Sequence, residues 1–161
     1  MSGTVHIMCG LPGSGKSDYA KTLEKEKEAV LFSLDEWMIA LLGKDHSIEQ
    51  FERFVLPCQD LIWEASLSLL DRNIDVIFDF AIYSRKGRKL LIDLIKSYGA
   101  EAVIYCLNVP HNACKERLSE RNRLTGYSDF SVTEERFDEL VNRFDQPSED
   151  EGVQVIFIEN T

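Results

Sequence analysis

The chain lacks any run of about 18 apolar residues, so no stretch reads as a membrane span. It is also short of positive charge. Its 18 Lys and Arg stand against 28 Asp and Glu, a formal net charge of −10. An acidic surface repels a phosphate backbone on average, which disfavours nucleic acid as a partner and leaves only local basic pockets for single phosphates. Cys9, Cys58, Cys106 and Cys114 are the only cysteines, and no two have CxxC spacing. No histidine stands at ligand-like spacing from two of them, so free buried thiols in a reducing compartment are expected. No N-x-[ST] acceptor occurs. The opening MSGTVHIMCG has neither a positive segment nor a long apolar one, so no secretory signal is expected and the location reads as cytoplasmic. His6 lies in the first strand, while His46 and His111 sit near turns; all three are expected to be structural or exposed. What remains is 161 residues with 44% hydrophobic and 29% charged side chains. That is one domain spanning 1–161, long enough to bury roughly 70% of its unfolded surface without a disulfide or structural metal.

Apolar runs alternate with helical periodicity along the chain. Strands are expected at Thr4–Cys9, Ala29–Ser33, Ile74–Phe78, Ala102–Leu107 and Val153–Ile158. Helices are expected at Asp18–Lys27, after Ser33 with Glu36 as capping-box partner, over Ser47–Arg72, over Arg85–Tyr98, and from Pro110 to about Asn122. Pro57 lies inside the long pattern and is expected to bend or split it. Ser131 and Glu134 read as another capping box, ahead of Phe137, Leu140, Val141 and Phe144. The intervening 124–131 contains Gly126 and reads as a mobile loop, part of a lid-like segment at about 117–131. The order β-α-β-α-α-β-α-β-α-α-β implies a five-stranded parallel sheet covered on both faces.

Gly10-Leu11-Pro12-Gly13-Ser14-Gly15-Lys16-Ser17 satisfies G-x-x-x-x-G-K-[ST], with an apolar strand before it and a helix after. The glycines let the backbone wrap an anion, and its N–H groups with the helix N-terminus bind phosphate oxygens. Lys16 supplies a point charge for the β- and γ-phosphates, and the Ser17 hydroxyl is placed for Mg²⁺. Asp18 closes the cradle and removes the last Gly of a dinucleotide-binding GxGxxG. A guanine-reading NKxD and a DxxG are both absent, which excludes a GTPase switch.

Ligands of open parallel sheets sit beyond the carboxyl ends of the strands, and two acids fall there. Asp35 follows the second strand, either as acceptor of a hydroxyl proton or as a stabiliser of the helix N-terminus. Asp79 ends the third strand, as a Mg²⁺-holding acid, a substrate contact, or an ordinary turn residue. Arg117 and Arg121 lie four apart on one expected helix, so both face the same way. They read as charge neutralisers for a transferring phosphoryl group or as solvated partners of Glu116 and Glu120. Tyr83, Arg85 and Arg88 follow the third strand and are candidates for the substrate site, with solvated surface roles as the alternative.

GLPGSGKS, SLDEW, FDFAIYSRKGRKLL and LNVPHNACKERLSERN together resemble the small P-loop kinases grouped with polynucleotide 5′-kinases, zeta toxins and chloramphenicol phosphotransferase. The likeness extends over nearly the whole chain. It implies a three-layer, nucleoside-kinase-like P-loop NTPase fold. It also implies ATP in the cradle at Gly13, Gly15, Lys16 and Ser17, Asp35 as general base, and a transition-state arginine that matches Arg121, with Arg117 one turn earlier. Phe144-x-x-Pro147-x-x-Asp150-Glu-Gly152 is similar to the ending of a group of uncharacterised kinases. In related kinases the loop before the last strand helps hold adenine, which places Pro147 at the base. Polynucleotide kinases often show D-x-x-R after the second strand; here Met38 stands where that Arg belongs, and Asp79 replaces an uncharged residue. The expectation is therefore phosphoryl transfer from ATP with Mg²⁺ to a small hydroxyl-bearing molecule. An ATP-binding regulator or slow NTPase without acceptor is the alternative, and a polynucleotide 5′-hydroxyl kinase is a further one.

Overall fold

Alternation along the central strand decides which layer covers which face. A computed structural model describes residues 2–125 and 131–160 of the chain. In strand β1, Thr4–Cys9, the side chains of Val5, Ile7 and Cys9 point to one face and Met8 to the other, all buried. The remaining elements are α1 (Lys16–Lys27), β2 (Val30–Ser33), α2 (Leu34–Leu42), α3 (Ile48–Leu70), β3 (Val76–Asp79), α4 (Arg85–Tyr98), β4 (Glu101–Asn108), α5 (His111–Thr125), α6 (Glu134–Arg143), a 3₁₀ turn at Glu149–Glu151, and β5 (Gln154–Glu159). The five strands are parallel in the order β2-β3-β1-β4-β5. The chain runs from β1 out to the edge strand β2, returns to β3 beside β1, and crosses to β4 and β5 on the other side, so the crevice opens at the carboxyl end of β1.

Helices α2, α3 and α4 cover one face, packing Met38, Cys58, Ile62, Ile92 and Ile95 on Val5, Ile7, Phe78 and Ile104. Helix α1 covers the other through Ala20 and Leu23 against Met8, Ile77 and Tyr105. A third cluster lies beyond the strand ends, where Cys114 and Leu118 of α5 and Phe137 of α6 enclose Leu11. The expected five-stranded parallel sheet covered on both faces is what the chain adopts.

Three local expectations change. Helix α3 runs unbroken through Pro57. Pro57 stands on the solvent side, where water reaches the carbonyl it leaves without a donor, while the opposite stripe of Cys58, Ile62, Ser66 and Leu70 is buried and holds the helix together. Ser131 does not cap α6; Thr133 does, accepting the Arg136 amide at 3.2 Å. Helix α5 extends to Thr125, past the expected stop at Asn122, and the rest of the expected loop, 126–130, lies outside the described residues. Among the described residues no helix is long and apolar enough to cross a membrane.

Phe78 is the keystone of the larger core: only 1% exposed, stacked on Phe80 at 4.8 Å and met edge-on by Phe32 and Trp63. Phe78→Ala should cost roughly 3–5 kcal/mol, the usual range for deleting a buried ring. Chemical denaturation reads the loss, and a cost below about 1 kcal/mol, the size expected of a surface change, would contradict this packing.

Candidate active site

The turn after β1 is built for close backbone approach. Gly13 has φ +77° and Gly15 φ +87°, a region that favours glycine. A Cβ on Gly13 would lie 2.6 Å from the Cys114 carbonyl oxygen, and one on Gly15 would lie 2.6 Å from the Asn160 side-chain nitrogen. Helix α1 starts directly on this turn, and its N-cap, Gly15, offers no side-chain cap. The first-turn amides of α1 are thus left for an anion. Lys16 Nζ donates to the carbonyls of Gly10 and Leu11 at 2.9 and 3.0 Å. Burial lowers its pKa, with Asp79, Cys9 and Asp35 opposing. Ser14 is buried, and its carbonyl accepts from Asn160 Nδ2 at 2.9 Å. Pro12 flanks the turn half-buried, and Asp18 points into solvent from the first turn of α1.

The two candidate metal residues meet. Ser17 Oγ donates to Asp79 Oδ2 at 2.7 Å. This pair of hard oxygens at the phosphate cradle suits Mg²⁺, which keeps several waters and takes few protein ligands. Residues Ser33 and Asp79 are register partners across β2 and β3. Ser33 also caps α2, accepting the Glu36 amide at 3.3 Å. The cap starts α2 beside the end of β3, which carries Asp35 toward Asp79 and Lys16. Asp35 is open to solvent on one side. Protein crowding on the other raises its carboxyl pKa; Asp79 raises it further, and Lys16, Arg121 and His46 pull it back.

The arginines divide the site between them. Arg117 donates to the Gly13 carbonyl and to the Asn160 carbonyl, both at 3.3 Å, and so ties α5 to the cradle and to the end of β5. Arg121, one turn on, is exposed and acts on Asp35. Tyr83 is half-buried, and its phenol is pushed up to about 12 by burial and then by the Asp35 charge. It stays neutral and able to donate.

The two arginines read as candidates for the substrate site, with surface roles as the alternative, are both engaged in ion pairs. Arg88 is fully buried and paired with Glu151, and Arg85 pairs at the surface with Asp150 at 2.9 Å. Both are held by the turn at 149–151. Pro147 is buried in the segment leading to that turn, and it is Asn160 that meets Arg117 and the Ser14 carbonyl. Asn160 was legible only as a residue just past the last strand. His46, expected to be structural or exposed, is buried, donates from Nδ1 to the Gly43 carbonyl at 2.6 Å, and stacks on Phe51. No spacing marks it.

The chain matches the family described as AAA domain over residues 5–147. It belongs to that family. Within it, the fold is that of the small P-loop kinases. A candidate kinase of Chloroflexus aurantiacus J-10-fl aligns with TM-score 0.80 at 15% identity, covering 100% of this chain and 90% of the other. Kti12 of Chaetomium thermophilum in complex with ADP-AlF3 aligns at 0.70 and 20% identity, covering 96% and 88%. A gluconokinase of Sinorhizobium meliloti 1021 aligns at 0.60 and 15%, covering 99% and 83%. At these identities the likeness is one of fold.

Gly13→Ala places a methyl against a backbone carbonyl in a left-handed turn. The conformation alone costs roughly 1–2 kcal/mol, and moving the loop to relieve the overlap spoils the anion cradle. Nucleotide binding by calorimetry should weaken at least about tenfold, equivalent to 1.4 kcal/mol. Unchanged affinity would show that phosphate is held elsewhere.

Proposed function

We propose that this chain is an ATP- and Mg²⁺-dependent phosphotransferase that moves the γ-phosphate of ATP to a hydroxyl group of a small molecule. The observation that carries the reading is the cradle itself: left-handed glycines at Gly13 and Gly15, Lys16 held within the turn, and Ser17 joined to Asp79 at 2.7 Å beside the helix that carries Asp35. When bound, ATP supplies the phosphoryl group and Mg²⁺ neutralises its developing charge. The loop amides and Lys16 hold the phosphates. Ser17 and Asp79 offer oxygens to the metal. Asp35 accepts the proton as the acceptor oxygen bonds to the γ-phosphorus and the bridging bond to the β-phosphate breaks. Arg117 binds at the nucleotide side, and Arg121 offsets charge on the transferring group. Positioning and electrostatics suffice for such a reaction.

The raised carboxyl of Asp35 sets the pH behaviour. A base works when ionised, so transfer should rise with pH through a midpoint above the ordinary aspartate value. Asp79→Asn removes the second cause of the shift and should move that midpoint down, even as the maximal rate falls. The same shift bears on stability. A carboxyl that binds its proton more tightly folded than unfolded favours the fold at low pH, and that contribution is lost as pH rises through the raised folded value. Asp35→Asn should therefore melt above wild type at neutral pH.

The deciding assay follows labelled phosphate from ATP across a panel of hydroxyl compounds. Asp35→Asn should lower transfer by about 10² or more, the scale of a lost general base. Nucleotide hydrolysis indifferent to every acceptor, and equal in that variant, would favour the ATP-binding regulator or slow NTPase. Labelling of a 5′-hydroxyl oligonucleotide with steep salt dependence would favour the polynucleotide kinase.

A further inference from the structure

The fully buried Arg88–Glu151 ion pair is used by none of the steps above. Arg88 has no side-chain exposure and Glu151 only 3%. The guanidinium donates from Nε to Oε2 at 2.9 Å and from a terminal nitrogen to Oε1 at 2.8 Å. An apolar pair of equal volume is often neutral or stabilising in such a place, so a buried ion pair is weak evidence of a purely stabilising role. A third donor of Arg88 reaches the Tyr83 carbonyl at 3.3 Å. The Asp145 amide donates to the same carbonyl at 2.9 Å. Asp145 Oδ2 in turn accepts the Arg85 amide at 3.0 Å, and the Phe144 ring meets the Tyr83 ring edge-on at 6.5 Å. Lys96 donates to the Gly152 carbonyl at 2.7 Å and closes the far end of the segment. Residues 144–152 thus form a strap across the loop that follows β3; the Arg88, Asp145 and Phe144 ties meet at Tyr83 or Arg85, and Lys96 anchors the far end.

We propose that Arg88 and Glu151 are positioning residues: through the Tyr83 carbonyl and the 144–152 strap they hold the Tyr83 hydroxyl on the Asp35 side of the site, where it donates a hydrogen bond to the phosphoryl acceptor. The inference rests on the phosphotransferase reading and adds an acceptor-binding residue to it. Its geometry accounts for the partners of both guanidiniums, Glu151 for Arg88 and Asp150 for Arg85. Arg85 and Arg88 tether the strap, and the neutral phenol is what the strap presents.

The test uses the full chain. Arg88→Met with Glu151→Met removes both charges together and leaves no unpaired ion. Melting within a few degrees of wild type and ATP affinity within about threefold are expected. Amide exchange at Asp145 and Arg85 should quicken at least about tenfold. The acceptor KM, measured with whichever compound the panel identifies, should rise about tenfold. Tyr83→Phe should raise that KM by a similar factor and leave exchange at Asp145 as in wild type; this variant keeps the KM arm decisive if the double variant fails to fold. Unaltered KM in either variant overturns the proposal, as does unaltered exchange in the folded double variant. If wild type phosphorylates no acceptor, the phosphotransferase reading has failed and the proposal falls with it. A phosphorylated acceptor whose KM ignores Tyr83→Phe overturns the positioning role alone.

Discussion

Two carboxylates compete for one lysine at the carboxyl edge of the sheet. Asp35 and Asp79 both act on Lys16, and Asp79 acts against Asp35. Like charges this near raise the cost of ionising the second, while the ammonium lowers it. Asp79 has an outlet in the Ser17 hydroxyl. Asp35 has only the field of its neighbours and a partial loss of hydration. The two acids thereby differ in surroundings although they are the same residue type: one is bonded to a hydroxyl, the other has its carboxyl pKa raised by burial and by its neighbour. The register of β2 on β3 enforces this, because Ser33 opposite Asp79 is also the residue that starts α2.

Much of this was legible in the chain itself. Alternation marks strands well when both faces are buried, and the glycine-rich turn between strand and helix constrains its own geometry. Asp35 and Asp79 stand out because strand ends are where parallel sheets present chemistry. Arg88 shows where local reading stops. On its helix it is one of four basic residues within five positions, and nothing nearby in sequence reveals that Glu151, 63 residues on, will bury it. Thr133 displaced Ser131 as a cap for a related reason: both carry a hydroxyl, and only the path of the backbone decides between them. At Pro57 the helix does not split, since the carbonyl left without its donor faces water and the opposite stripe stays buried.

Buried polar contacts of long sequence separation recur around the site. Asn160 reaches back to Ser14, Arg117 to Gly13, and Asp145 to Tyr83. Each links a segment late in the chain to a loop near the start or middle. The strands provide a stiff floor, and these few bonds set the relative placement of the loops above it. Asn160 and Asp145, late in the chain, therefore help set the shape of the space above the sheet.

The contacts of Lys16 carry a further consequence. Its ammonium is held by two carbonyls of its own loop, so the turn is braced from within by a cation. The entropy of ordering that long side chain is lost during folding, and an anion brought to the turn would meet a charge already fixed in place.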